Sequence, residues 1–254
     1  MIKKVTIIGS GNIATQIGIS LKQSNVIIKQ IISRNKHTGQ TLAHMLNCTY
    51  SSQLSLIQPT DLMIICTNDD SIEQISQNTP DYPTVHTSGN TSIEALKNKR
   101  KFGVIYPVQS LQKEDNINFL YIPICIEASS MVFKKEITQL IKKISKAIFY
   151  LNSNERQYIH LSAVIACNFT NHLYSIAKEL LDEKKLDFNI LKPLIISTAN
   201  KIKTHNPITN QTGPAKRKDI TTIKEHLELI DNKEYKKIYK LISNNIIEKH
   251  GKSL

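Results

Sequence analysis

The chain has 254 residues, of which 40% are hydrophobic, so it can form one large domain or two small ones with a substantial buried core. Its formal charge of +12 is spread evenly, with 16 Lys and Arg against 10 Asp and Glu in residues 1–150 and 17 against 11 in residues 151–254. The even charge and the lack of Trp argue against a nucleic-acid-binding protein and favour a small anionic ligand.

The sequence also lacks the signals of a membrane or secreted protein. No run of about 18 apolar residues occurs. The start, MIKKVTIIGSG, has no long apolar core and no signal-peptide cleavage site, so we expect a cytoplasmic protein. The four cysteines, at positions 48, 66, 125 and 167, form no CxxC pair, and we expect neither disulfides nor a metal site.

The first element, KKVTIIGSGNIATQIGISL, is a β-branched run, a glycine turn and a helix-compatible segment. Gly9, Gly11 and Ala14 match G-x-G-x-x-A, in which the glycines allow a tight turn beside a pyrophosphate and the alanine allows close helix–strand packing. The alternative is a turn that only joins strand to helix. We predict a dinucleotide site whose first contacts are Gly9, Ser10, Gly11, Asn12, Ile13 and Ala14.

The second strand, VIIKQIIS, ends at Ser33 and is followed by Arg34 and Lys36. A site selective for NAD places Asp or Glu here, but this chain has no acidic residue before Asp61. Ser33 can hydrogen-bond a 2′-phosphate and Arg34 can bind it with its planar fork. Lys36 either assists or is simply the first exposed residue of a helix. The pattern predicts NADP as the cofactor.

Strands and helical segments continue to alternate up to residue 151. DLMIIC is followed by Thr67, Asn68 and Asp69, PTVHT by Ser88, and KFGVIYPVQ and YIPICIEA supply two more strands. Ligands of parallel sheets bind at the carboxyl ends of the strands, so we expect these four polar residues near the cofactor. Residues 1–151 are therefore predicted to form an α/β Rossmann domain, a doubly wound and mainly parallel sheet.

Strand signals stop after residue 151, and residues 152–254 are predicted to form an all-α substrate and dimerisation domain. SNERQYIHLSAVIACNFTNHLYSIAKELLDEK reads as one helix of about thirty residues, capped by Ser153 or Asn154. The middle of this helix is apolar all round, which predicts burial. At 100° per residue, one polar stripe remains, and it must face other polar groups, a partner subunit or a ligand: His160, Val164, Asn168, Asn171 and Ser175.

Three further helical segments close the chain: LDFNILKPLIISTANKIKTH, DITTIKEHLELI and NKEYKKIYKLISNNIIEKH. Their apolar surface is large for a unit of about a hundred residues. We therefore expect a homodimer that buries part of the C-terminal helices.

Five stretches resemble one family: GSGNIA, HTSGN, YPVQSL, ERQYIHLSAVIACNFTNHLY, and QTGPAKRKD with HLELI. The chain is similar over nearly its whole length to the Rossmann-like proteins with the C-terminal domain DUF2520. These are related to pyrroline-5-carboxylate reductases, β-hydroxyacid dehydrogenases and alternative-type ketopantoate reductases. The resemblance implies an NADP-dependent reductase of a small carboxylate-bearing carbonyl or imine, and a 2-oxo acid such as ketopantoate is the substrate we favour.

Two positions depart from these relatives. If Asn168 matches the asparagine of β-hydroxyacid dehydrogenases, Val164 takes the place of their catalytic lysine, and Tyr106 replaces the family's more usual His before Pro. Acid–base work must then fall to another group, or the chemistry differs. A non-catalytic NADP sensor and a structural interaction module are the alternatives that we weigh against an enzyme.

Reduction by NADPH needs an acid to protonate the product. His86, at the end of a strand, is the first candidate because histidine titrates near neutrality, although it can equally cap the strand by bonding backbone. His160 is the second candidate and Tyr106, on the substrate side, the third. Asn168 and Asn171 would orient the substrate.

The stretch QTGPAKRKD holds a Gly-Pro break and three cations before a helix that Asp219, or a capping box of Thr222 and Glu225, can cap. Cations are disfavoured beside a helix N-terminus unless an anion binds there. With the family resemblance, this predicts the substrate-side wall of the cleft, facing His86 and Asn168 and formed by Thr212, Gly213, Pro214 and Arg217.

Overall fold

The computed structural model describes residues 2–115 and 117–250, and it contains one eight-stranded sheet of order β3-β2-β1-β4-β5-β6-β7-β8. Every neighbouring pair is parallel except β6 and β7. The strands are β1 Lys4–Ile8, β2 Ile27–Ile32, β3 Thr49–Ser51, β4 Leu62–Ile65, β5 Thr84–His86, β6 Phe102–Pro107, β7 Ile124–Ala128 and β8 Ile148–Tyr150. The predicted Rossmann fold followed by a helical region is confirmed.

The sheet is covered on both faces because its central strands are apolar on both faces. Ile7 of β1 pairs with Ile31 of β2 and Ile64 of β4, and belongs to a core cluster with Ala14. The next residue, Ile8, points to the opposite face and belongs to a separate cluster. Four helices flank the sheet: α1 Asn12–Gln23, α2 Lys36–Leu46, α3 Ile72–Gln77 and α4 Met131–Ile141.

The two edge strands, β3 and β8, were not predicted from the sequence. Each has three residues, which is too short to show the alternation by which a strand is recognised. Within residues 2–115 and 117–250, five 3₁₀ turns also connect the elements, at Leu54–Leu56, Asp69–Ser71, Ile93–Leu96, Phe119–Tyr121 and Phe188–Ile190.

The long helix of the second half forms, but in three parts. α5 Ser153–Ala163 runs into a π-helical segment, Val164–Phe169, and then into α6 Thr170–Glu183. The i→i+5 bonds of a π-helix change the phase of the side chains, so the 100° spacing used to define the polar stripe does not hold across this segment. The expected caps were also wrong. Asn152 caps α5 in a capping box with Glu155, because its side chain reaches the Glu155 amide at 2.9 Å.

The remaining helices are α7 Lys192–Lys201, α8 Pro214–Arg217, α9 Ile220–Leu229 and α10 Lys233–His250. Asp219 caps α9, as predicted, and accepts hydrogen bonds from the amide and hydroxyl of Thr222 at 3.1 and 2.7 Å. No helix within the described residues is long and apolar enough to cross a membrane.

The chain divides into two compact units, residues 1–167 and 168–254. Helix α5 belongs to the first unit because Arg156 and Ser153 bond to the sheet residue Glu127. The expected burial of the long apolar helix was wrong for the single chain. Tyr158, Leu161 and Phe169 are each more than half exposed in the structure of the described residues.

Candidate functional site

The glycine turn after β1 has the strained geometry that a dinucleotide site requires. Gly9 has a φ of +121°, and a Cβ on it would lie 2.2 Å from the carbonyl oxygen of Cys66. Only glycine fits this close approach between β1 and β4. Helix α1 begins three residues later with Gly11 as its N-cap and no side-chain capping bond. The amides of its first turn are therefore open to an anion.

A cavity of about 780 Å³ opens at the carboxyl ends of β1, β2 and β4. Seven of the predicted cofactor residues line it: Gly9, Ser10, Gly11, Ser33, Arg34, Thr67 and Asn68. No carboxylate of the described residues lines it, which suits a phosphorylated ligand. Burial raises the pKa of Cys66, also in the lining, to about 12, so this thiol stays protonated at neutral pH.

The end of the cavity next to β2 carries three hydroxyl groups and one cation. Ser10 Oγ lies 2.7 Å from both Ser33 Oγ and Thr38 Oγ1. Arg34 is exposed beside them. Hydroxyls and a guanidinium are the groups that bind a phosphate monoester in proteins. This arrangement has the chemistry for the 2′-phosphate of NADP.

The other predicted cofactor residues are not part of the lining. Ala14 is fully buried in the core, Ile13 packs against that core, and Asn12, Lys36 and Asp69 are exposed. Ser88 accepts hydrogen bonds from the amides of Asn90 and Thr91, so its oxygen already caps a turn. Sequence reasoning missed a second set of lining residues, which follow no motif: Asn35, Ser52, Leu54, Gln74, Ile75 and Asn78.

Tyr106 and His160 form a hydrogen-bonded pair. The Tyr106 hydroxyl lies 3.1 Å from Nδ1 of His160, and the rings meet edge to face with centroids 5.8 Å apart. Burial, and next the charge of Cys125, raise the pKa of Tyr106, although the charge of Arg156 opposes them. The phenol therefore keeps its proton at neutral pH. Tyr106 and His160, which the sequence offered as separate acid candidates, thus form one pair that can hold and pass a proton.

His86 does not have the environment expected of an acid that titrates near neutrality. It is fully buried on β5, and its Nδ1 accepts a hydrogen bond from the Ser88 amide at 3.2 Å. Burial, followed by the charge of Arg156, lowers the pKa of His86 to about 3. His86 is therefore neutral at physiological pH and bonds the backbone, which was the alternative weighed for it.

The remaining predicted residues lie in the second unit. Asn168 and Asn171 are exposed, as is Arg217 on α8. Thr212 and Pro214 line an apolar cavity of about 260 Å³ within this unit, together with Tyr235 and Tyr239 of α10. Gly213, before α8, has a φ of +98° and forms the predicted break. In the part of the chain that the structure describes, no three His, Cys, Asp or Glu side chains cluster as metal ligands do.

Comparison with known proteins supports the same fold and family. Residues 122–246 match the family model "Domain of unknown function (DUF2520)". A protein from Bacteroides fragilis, provisionally named an NADP oxidoreductase, is 33% identical with a TM-score of 0.91, over 97% of this chain and 98% of that one. Among proteins of curated function, none matches this chain by sequence.

Two more distant structures share the fold. A reductive aminase from Aspergillus terreus, in complex with NADPH and ethyl levulinate, is 12% identical with a TM-score of 0.73, over 99% of this chain and 96% of that one. A 1-pyrroline-5-carboxylate reductase from Streptococcus pyogenes is 18% identical with a TM-score of 0.63, over 99% and 98%.

Proposed function

We propose that this chain, which belongs to the DUF2520 family of Rossmann-like proteins, is an NADP-dependent oxidoreductase that reduces a small carboxylate-bearing carbonyl or imine. The general activity, NADP-dependent oxidoreduction, is supported by the B. fragilis relative. The cofactor is supported by the same relative and by the cavity beside Ser33 and Arg34. A 2-oxo acid such as ketopantoate is our preferred substrate.

The observation that carries the proposal is the position of the Tyr106–His160 pair. Tyr106 is near the carboxyl end of β6, and β6 is parallel to β5 and β4. The pair therefore lies at the same edge of the sheet as the cavity, two strands from β4. Strands are about 4.8 Å apart, so this places the pair about 10 Å along the edge from the end of β4. Residues of the cavity such as Ser33 and Arg34 would hold NADPH, which would supply a hydride to a substrate bound at this edge of the sheet.

The reaction requires one hydride and one proton. Bound NADPH supplies the hydride to the acceptor carbon. The chain would supply the proton: Tyr106 donates from its hydroxyl to the substrate oxygen or nitrogen and is reprotonated across its 3.1 Å contact with His160 Nδ1. In this scheme His86 supports the strand end from which the site is built, and does not donate the proton.

Substrate contacts are proposed for the other predicted residues. We propose that Asn168 and Asn171 orient it, and that Thr212, Gly213, Pro214 and the exposed cation Arg217 bind its carboxylate. Support comes from the chemistry of these groups and from the net charge of +12, which attracts anions.

We also propose a homodimer formed through the C-terminal helices. The described residues of the second unit bury four hydrophobic side chains: Ile176, Ala215, Ile223 and Ile230. The other apolar side chains of these helices remain at least partly exposed. In a symmetric dimer, the same surface of a second copy would cover them. Sedimentation of the full chain should give twice the monomer mass of 28.8 kDa, and a monomer at micromolar concentration would contradict the proposal.

The activity is tested with a panel of 2-oxo acids and cyclic imines, followed by the absorbance of NADPH. Tyr106→Phe and His160→Gln should each lower kcat by about 10²- to 10⁴-fold and leave the Kd for NADPH within a factor of two. Tyr121→Phe, at an exposed tyrosine, is the control and should leave kcat unchanged. Tight NADPH binding with no turnover of any panel member would favour an NADP sensor.

A further inference from the structure

Arg156 is the largest fully buried side chain among the described residues. It lies on α5, in the stretch ERQYIHL, one turn before His160. Its Nη1 donates to the backbone carbonyl oxygens of Ser88 and Gly89 at 2.9 and 3.1 Å. These carbonyls belong to the turn that follows β5, so a single guanidinium group holds the backbone of that turn against the helix.

The charge of Arg156 is balanced within the sheet. Its Nη2 donates to Oε2 of Glu127 and to Oγ of Ser153, both at 3.1 Å. Ser153 in turn donates its amide and its hydroxyl to the two oxygens of Glu127, at 2.9 and 2.8 Å. The network therefore joins three elements, namely the start of α5, strand β7 and the Ser88–Gly89 turn, with all carboxylate oxygens bonded.

The turn held by Arg156 packs directly on the Tyr106–His160 pair. A Cβ on Gly89 would lie 2.7 Å from Cγ and Nδ1 of His160 and 2.8 Å from Cζ of Tyr106. The φ of Gly89 is outside the positive region. Glycine is thus required here by the closeness of the two rings and not by its backbone conformation.

We propose that Arg156 is a positioning residue for proton delivery: it presses the Ser88–Gly89 backbone against His160 and so keeps His160 Nδ1 within hydrogen-bond reach of the Tyr106 hydroxyl. The reaction that this serves is the one proposed above, on which the inference rests. Arg156 has no hydrogen bond to either member of the pair in the described structure, so it acts through the turn.

The test records nitrogen-15 NMR spectra of the histidine rings in the full chain. The His160 resonances are assigned by their loss in His160→Gln, and Tyr106→Phe gives their position when the pair is broken. Arg156→Lys keeps the positive charge but cannot form the four bonds, so it should move the His160 resonances toward the Tyr106→Phe position. Arg100→Lys, in an exposed ion pair with Asp81, is the matched control and should leave them unchanged.

With a panel substrate, Arg156→Lys should lower kcat by about 10- to 100-fold while the Kd for NADPH stays within a factor of two. Gly89→Ala should give the same two changes, because its methyl group separates the rings. Should Arg156→Lys fail to fold, Glu127→Gln loosens the same guanidinium and should shift the His160 resonances in the same direction.

The positioning role would be overturned if the His160 resonances of Arg156→Lys stayed at their wild-type positions. If Arg156→Lys does not fold, the same result in Glu127→Gln would overturn it. A loss of NADPH binding equal to the loss of kcat would also overturn it, because it would indicate general damage. If no panel substrate is turned over by the wild type, the proposed function fails, but the NMR comparison still decides whether Arg156 positions the pair.

Discussion

The two units of the chain differ in how far they bury their apolar side chains. In residues 1–167 the sheet is enclosed by helices, and residues such as Ile7, Ile64 and Phe133 are fully buried. In residues 168–254 many large apolar side chains of the described residues are exposed, including Leu194, Ile202 and Leu241. The first unit thus carries its own core, whereas the described helices of the second leave many apolar side chains exposed, and this is the surface that we propose a second copy covers.

The largest expected difference between the units is in the unfolding free energy lost when a phenylalanine of each unit is replaced by alanine. Phe133→Ala, at a fully buried residue of α4, should cost about 3–5 kcal/mol of unfolding free energy. Phe169→Ala, at a side chain that is 58% exposed, should change it by less than about 0.5 kcal/mol when the protein is dilute. Urea unfolding at several protein concentrations measures both. A large cost for Phe169→Ala that does not depend on concentration would remove the distinction.

Cofactor selectivity should lie entirely in the first unit. Arg34→Ala would remove the charge-assisted bond that we propose to the 2′-phosphate, so the Kd for NADP should rise by about 10- to 150-fold while that for NAD stays unchanged. Lys36→Ala, at an exposed residue outside the cavity lining, is the control and should change the NADP Kd by less than about threefold. Calorimetric titration of the wild type and both variants gives these constants, and equal losses of NADP and NAD affinity in Arg34→Ala would contradict the 2′-phosphate site.

The buried His86 should make the first unit sensitive to acid. Its pKa falls from 6.5 in the unfolded chain to about 3 in the fold, so below pH 6.5 the unfolded state binds a proton that the native state does not. Stability is therefore lost as the pH falls, by about 2 kcal/mol between pH 6.5 and 5. His86→Gln should unfold in urea with a correspondingly shallower dependence on pH. The same slope in both proteins would show that His86 is solvated.

The smallest effect concerns the start of α5. Asn152→Ala removes the side chain that caps the helix and should cost about 1 kcal/mol. Asn154→Ala, at a residue that the sequence offered as an alternative cap, should cost less than about 0.5 kcal/mol. Thermal unfolding of the two variants distinguishes them, and a greater loss for Asn154→Ala would restore the original assignment.

The features that could be predicted from the sequence are those set by residues close together along the chain. The strand, glycine turn and helix around Gly9 follow from local residue types, and so does the placement of Ser33 and Arg34 in the cavity lining, since they directly follow a strand. The helical nature of the second half follows from its periodicity and the lack of Pro and Gly in its long segments.

The rest depends on contacts between distant residues. His86 was given a role from its place at a strand end, but its pKa is set by burial, which no local pattern shows. Arg156 carries a charge, and charged residues are exposed by default, so its burial against Glu127 and the Ser88–Gly89 turn was not predicted. The π-helical segment, likewise, changes the phase of a helix without any sequence signal that we recognised.

The edges of the sheet also bear on how copies of this protein can associate. A strand at an edge presents unpaired amides and carbonyls to which a strand of another molecule can add. Here both edges, β3 and β8, end after three residues, which leaves too little backbone for a stable added strand. Polymerisation through the sheet is thereby discouraged, which is consistent with the proposal that copies associate through the apolar helices, where shape and side-chain packing can select the partner.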